Sequence, residues 1–436
     1  MAGRPAAHDG RPTTMTILAL QRMHCEEVST KWWLRRAACL EPTTRFEWLA
    51  ELDSAIDAHL DALLEGGALA PACAAEALDK SLRLRAEDAI ADAFTVVALR
   101  CASEGAAGLL QCAADERLLP ATRAYLAWSP EAAATQCVAQ AGADPASVLH
   151  LAALRALHVH GLTGTDLGTR LRQSTVEDAP VVLEAVGDCG AVDALGWVLQ
   201  VMDNPQWPDT SPLRFAAAQC AVLLGEAPRA LPVLTACATS GLPHAAAACR
   251  LLAPCLPAAD LERLARSIHG GTANFLPDPT LAIRCLGWGG HLRHVPTVLE
   301  CLQQPPLAPV CEEAFLHMTG LRFEQVLEAD APADPLPAHA LLRRWWEAHR
   351  SGFDHGTACL FGQPATPAHL DEVLLSGTQG ARETAALRRQ LALPGSLRFP
   401  TQAHVQRQWA RMDAWQRPPA PSRATSRAPS LERTPS

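Results

Sequence analysis

Prolines recur between residues 145 and 310 at an almost constant interval. Pro145, Pro180, Pro212, Pro243, Pro279 and Pro309 stand 35, 32, 31, 36 and 30 residues apart. Each precedes an apolar run, and several runs close on a glycine: Gly190, Gly225, Gly290 and Gly320. Proline in the first turn of a helix forfeits no hydrogen bond, because that N–H has no intrahelical partner. Asp144, Ser211 and Asp278, each directly before a proline, supply the side-chain acceptor of an N-cap. Glycine just past the last apolar position can take the left-handed conformation that closes a helix. Start and stop signals agree, and a period of this size belongs to stacked helical hairpins.

The apolar spacing between these signals is helical. Leu213, Ala216, Ala217, Cys220 and Leu224 share a face, as do Ala282, Cys285, Leu286 and Gly289, and Cys311, Ala314, Phe315 and Met318. A second helix follows most of them, carried by Leu195–Met202, Leu231–Ala238 and Val295–Leu302. Such a pair cannot bury its apolar face alone, and stacking on neighbours makes one continuous core. No comparable run alternates with period two, so strands are expected to count for little. The predicted class is all-α, a HEAT-like α-solenoid.

At 436 residues the chain exceeds the usual single globular core, a limit that an elongated stack avoids. Hydrophobic residues make up 49% but aromatics only 5%, so the core must be Leu, Ala, Val and Cys, with small side chains letting helices approach closely. The net charge of -9 argues against a surface built to grip phosphate backbones. Fifteen cysteines without CxxC or framework spacing read as small buried hydrophobes, which points to a reducing, cytoplasmic setting. The first residues lack the apolar stretch of a signal peptide, and no run approaches the ~18 apolar residues of a membrane span.

The expected organisation is a disordered N-terminus (1–14), an N-terminal helical segment (15–85) and the solenoid (86–325). An acidic, proline-rich linker (326–340) then leads to a C-terminal helical segment (341–412), in which Thr366-Pro367 and Gly377 bracket a further repeat-like pair. Residues 413–436 form an Arg/Ser/Pro tail without hydrophobes to anchor it, expected to be disordered. Its Ser422, Ser426, Ser430 and Ser436 stand among arginines, where added phosphate would change the charge sharply.

Chemistry-bearing groupings are few. Asp53, Asp57 and Asp61, with His59 nearby, occupy one side of a helix opposite a leucine stripe, which reads as a solvated face. His158 and His160 read as a helix-end pair beside Gly161. His291 and His294 are three apart with no acidic or cysteine partner indicated, and Asp354-His355 has no nucleophile motif beside it. No nucleotide-binding, zinc-protease or serine-hydrolase motif is present, so no catalytic, cofactor or metal residue is assigned. The two Trp-Trp pairs with adjacent arginines are the candidate interaction residues: Trp32, Trp33, Arg35 and Arg36, and Arg343, Arg344, Trp345 and Trp346. Adjacent tryptophans on a helix point about 100° apart, so one of each pair can enter the core while the other stays at the boundary.

The stretch LAELDSAIDAHLDALLEGG, the Ala-rich repeats after it, and then CEEAFLHMTGL and RRWWEAHRSGF resemble an uncharacterised bacterial family of HEAT-repeat-like proteins. Members are often encoded beside type VI secretion genes, and the likeness covers most of residues 20–410. It implies a HEAT-like fold and a secretion setting, and it supplies no catalytic residue. The expectation is a non-enzymatic protein-binding scaffold or adaptor, with type VI secretion components as its partners and nucleic acid disfavoured. The competing expectation is an enzyme on the same scaffold, of DNA glycosylase-like or phycobilin lyase-like kind.

Overall fold

The computed structural model describes residues 14–86, 89–163, 166–268, 276, 278–329, 337–353 and 356–416, and these are mostly helical. Four helices come first: α1 (Thr14–Leu40), α2 (Phe46–Glu65), α3 (Leu69–Leu84) and α4 (Ala89–Ala113). The long α1 packs on the other three. In α4, Gly105 at φ 63° breaks the helix into two pieces. By length and composition α4 could cross a membrane, but Phe94, Val97, Cys101 and Leu109 bury it among its neighbours.

Helical hairpins follow. They comprise α5 (Leu119–Trp128), α6 (Ala132–Ala143), α7 (His150–Ala156), α8 (Leu167–Gln173), α9 (Ala179–Cys189), α10 (Leu195–Asp203) and α11 (Pro212–Leu223). Then come α12 (Ala227–Thr239), α13 (Ala245–Leu252), α14 (Ala258–Ile268), α15 (Pro279–Gly289), α16 (Val295–Cys301), α17 (Ala308–Thr319) and α18 (Phe323–Ala329). Each odd-numbered helix from α5 to α17 packs on the next odd one, making a row whose members begin 29 to 34 residues apart. The even helices flank it.

The punctuation works largely as expected. Ser211 caps α11 by accepting from Arg214 N, and Asp278 caps α15 by accepting from Thr280 N at 2.8 Å. Pro212 and Pro279 open their helices, and Pro180 and Pro309 stand second in theirs. Two prolines depart from the pattern. Pro145 lies in a turn five residues ahead of α7, with Asp144 ending α6 rather than capping α7, and Pro243 lies two residues ahead of α13. There the turn itself reverses the chain and the helix starts later, so the period survives although the cap does not.

Small residues let the row close up. A Cβ on Gly287 of α15 would lie 2.9 Å from Ala314 Cα of α17, so only glycine permits this approach. Cys220, Cys249, Cys285 and Cys311 fill the same interior. Leu286 and Phe315, fully buried there, each contribute on the order of 1.5–3 kcal/mol of transfer free energy.

Beyond the row, α19 (Ala338–His349) packs on α16 and α18. A short antiparallel hairpin, β1 (Cys359–Leu360) and β2 (Gln363–Pro364), precedes α20 (Pro367–Ser376), α21 (Gln379–Ala392) and α22 (Val405–Gln416). Thr366 caps α20 and Gly377 ends it, as the sequence suggests. This C-terminal unit has an apolar cluster of its own, including Leu370, Leu374, Ala385, Phe399 and Met412. It lies back along the row as far as the N-terminal helices. The row itself is curled: Arg322 beyond α17 reaches Thr43 O between α1 and α2 at 3.4 Å, while Gln379 N and Gly380 N bond Thr44 O and Pro42 O.

Candidate functional site

The last carbonyls of any helix lack intrahelical partners and carry partial negative charge. In the row these ends lie side by side, and the C-terminal unit covers them. Cys359 N donates to Gly290 O at 2.8 Å, and Phe361 N and Gly362 N donate to His317 O and Met318 O at 2.9 Å. Arg388 donates to Trp288 O and Gly289 O (2.8 and 3.0 Å), Gln390 to Gly187 O (2.7 Å) and Arg411 to His158 O (2.8 Å). Arg398 N bonds Asp188 O while its guanidinium pairs with the Asp188 carboxylate at 3.1 Å. The closing glycines serve this contact as well as their own turns. At Gly190 (φ 65°) a Cβ would stand 2.4 Å from Gly395, and at Gly290 (φ 70°) 2.1 Å from Cys359 O.

The N-terminal anchor of this seam is Asp53, and here the solvated-face reading is overturned. Asp53 is fully buried. It pairs with Arg35 of α1 and accepts Trp128 Nε1 and Val405 N, both at 2.9 Å. Arg35 also donates to Gln402 O and Ala403 O. One turn along α2, Asp57 accepts from His404 Nε2 at 3.1 Å, and that ring's Nδ1 accepts from Gln406 N. Only Asp61 is exposed. Carboxylates that looked like the wet side of a helix therefore receive His404 and Val405.

Other buried polar groups line the seam. Arg382 has no exposed surface; it donates to Leu374 O, Gln379, Thr401 O and Gln408 and lies 4.3 Å over the Phe46 ring. Burial pulls its guanidinium down to about 9, and Arg388 down to about 10, so both stay protonated at neutral pH. His317 Nε2 meets Thr384 Oγ1 at 2.8 Å; burial, with Arg250 and Arg388 nearby, brings it down to about 3. His160 Nε2 donates to Leu126 O and its Nδ1 accepts from Thr135, and burial beside Arg407 brings it to about 4. With His158 it forms the expected helix-end pair beside Gly161. His294 is likewise brought to about 4 by burial and Arg293, with its ring 6.5 Å from that of His291.

The candidate interaction residues divide. Trp32 is buried and stacked on Phe94 at 4.4 Å, whereas Trp33 is 41% exposed, with Arg36 5.9 Å over its ring. Arg35 belongs to the buried seam. Trp345 and Trp346 both lie inside, against Phe315 and Phe353, so this pair does not split between core and boundary. Arg343 faces Glu300 at 3.6 Å, and Arg344 is on the surface of the same helix. Of the eight candidates, Trp33, Arg36, Arg343 and Arg344 are the exposed ones.

Two cavities have the size of small-molecule sites. One, of about 540 Å³, lies between α1, α3 and α4; Asp92 there accepts from Ser29 (2.7 Å) and Ser81, and Trp33 stands on its wall. The other, of about 530 Å³, is central, between α11, α13, α15, α17 and α21. Among the described residues no group of three or more His, Cys, Asp or Glu could hold a metal. Burial pushes Cys25, Cys189 and Cys249 up to about 12, which keeps these thiols protonated and unreactive. Asp354, His355 and the tail serines Ser422, Ser426, Ser430 and Ser436 lie outside the described residues, as do 330–336 of the acidic linker. The seam was missed in the sequence because its groups bond across the chain. The chain matches no protein-family profile, no curated protein and no solved structure.

Proposed function

We propose that this protein is a HEAT-like helical scaffold that binds other proteins. The observation that carries the reading is the row's own use of its surface. Its helix ends already hold a polypeptide, residues 356–416, through backbone carbonyls and arginine caps. A row of repeated ends suits chain segments better than it suits a reactive centre. The resemblance to proteins encoded beside type VI secretion genes makes a component of that machinery the proposed partner.

The docking surface we propose is the stretch of α1 around Trp33. Trp33 and Leu34 are exposed there, with Arg36 over the Trp33 ring. The glycosylase-like alternative needs a cationic inner face. Here Arg250 pairs with Glu383 and Arg284 with Glu313, which weighs against it.

Full-length protein is immobilised and offered native lysate with the secretion components present or genetically removed. It is expected to retain a secretion component from the first lysate alone. Trp33→Ala with Arg36→Ala is expected to weaken that capture about tenfold or more, as for an interface hot spot. Retention of no partner from either lysate overturns the reading.

A further inference from the structure

We infer that the central cavity binds a small organic molecule carrying an oxyanion. This goes beyond the scaffold reading and does not rest on it. The cavity is lined by Gln219 of α11, Arg250 of α13, Arg284 and Trp288 of α15, Glu313 of α17, Glu383 of α21, and Arg398. It therefore sits where the row and the C-terminal unit meet.

A purely structural account explains part of this set. Arg284 Nε bonds Glu313 at 3.0 Å, and Arg155 Nε bonds Glu184 at the same distance elsewhere in the row, each pair 29 residues apart. Both are rungs between neighbouring repeats. The Arg155 rung is a single exposed pair. Two more guanidiniums line the same cavity: Arg250, held by Glu383 and by Gly380 O at 3.2 Å, and Arg398, held by Asp188. Three arginines then share the lining with two carboxylates.

A guanidinium offers five N–H donors, and these partners take few of them. Glu313 engages Arg284 through Nε, and Asp188 engages Arg398 through Nη1. Arg250 Nε is buried and finds no acceptor among the described residues. Spare donors on three guanidiniums suit a carboxylate or phosphate group. The carboxylates hold the forks in position and limit the positive charge, which favours a small anion over a polymer. Trp288, 5.4 Å from the Arg250 guanidinium, with Leu251 and Leu387, gives the apolar wall that an organic body needs. A ligand here would touch both the row and the C-terminal unit, so binding adds to the stability of the folded chain.

The test is thermal unfolding of the full chain titrated with inorganic phosphate, succinate and neutral succinamide at matched ionic strength. A saturating rise in Tm is expected with phosphate or succinate and none with succinamide. Response to phosphate alone assigns a phosphate ester; response to succinate alone assigns a carboxylate. Arg284→Gln is expected to weaken half-saturation at least tenfold, whereas Arg123→Gln, exposed on α5, leaves it unchanged. Should Arg284→Gln lose its cooperative transition, Arg284→Lys replaces it and is expected to weaken binding through loss of the fork alone. No saturable rise with either anion, or an equal rise in the cavity variant, overturns the proposal.

Discussion

The interior of the row and the seam along its helix ends are held together by different chemistry. Inside the row, Ala, Leu and Cys pack in a pattern that repeats from one hairpin to the next. At the seam the contacts are made by guanidiniums, carboxylates, amides and backbone carbonyls. Apolar packing tolerates substitution gradually, because each contact is small. A buried polar network does not, since removing one partner strands the others. The seam is therefore the more fragile of the two, although it covers less of the molecule.

The largest effect is expected at Asp53. Asp53→Ala leaves Arg35 buried without its counter-charge and removes the acceptor of Trp128 Nε1 and Val405 N. Breaking a buried pair from one side costs about 3–5 kcal/mol, which denaturant unfolding would measure. Hydrogen exchange should show protection lost first in residues 404–412, ahead of 285–289 in the row. A loss spread evenly over both segments would mean that seam and row are one cooperative unit, and the contrast would fail.

What could be read from the chain follows the same division. Ser211-Pro212 and Gly290 announce α11 and the end of α15 because cap and left-handed turn are decided within a few residues. Pro145 and Pro243 kept the period but misplaced the helix start, since a proline marks a turn as readily as a first helical position. Asp53 was read as solvated because nothing nearby distinguishes it from Asp61. Its partners lie 18, 75 and 352 residues away. The β1–β2 hairpin escaped for a similar reason: two-residue strands carry no alternation, and their outward bonds go to Gly290, His317 and Met318. The central cavity draws its arginines from α13, α15 and the segment after α21, and the third joins the other two only because the C-terminal unit returns onto the row.

A pH titration sharpens the contrast at intermediate size. His317 at the seam is held to about 3, and His160 and His294 to about 4, against about 6.5 in an unfolded chain. Between those limits the unfolded state takes up protons that the folded state refuses. Stability is then complete above pH ~6.5 and falls as the pH drops toward 4, by about 1.4 kcal/mol per pH unit for each group fully in this window. His317→Gln should remove one group's share of the slope, measured as unfolding free energy between pH 7.5 and 5. A slope identical to that of the parent protein would show that His317 is not held neutral by the seam.

The smallest effect is expected two turns along α2 from Asp53. Asp61 shares the spacing of Asp53 and Asp57, but it is exposed and has no bonded partner among the described residues. Asp61→Ala should change the unfolding free energy by less than about 0.5 kcal/mol, as a surface substitution does. The three aspartates thus form a graded series on one helix: buried and paired at 53, paired at the rim at 57, solvated at 61. Their identical spacing makes burial against residues 402–406 the variable that separates them. A cost above about 1 kcal/mol at Asp61 would extend the seam by a turn and reduce the difference from Asp53 to one of degree.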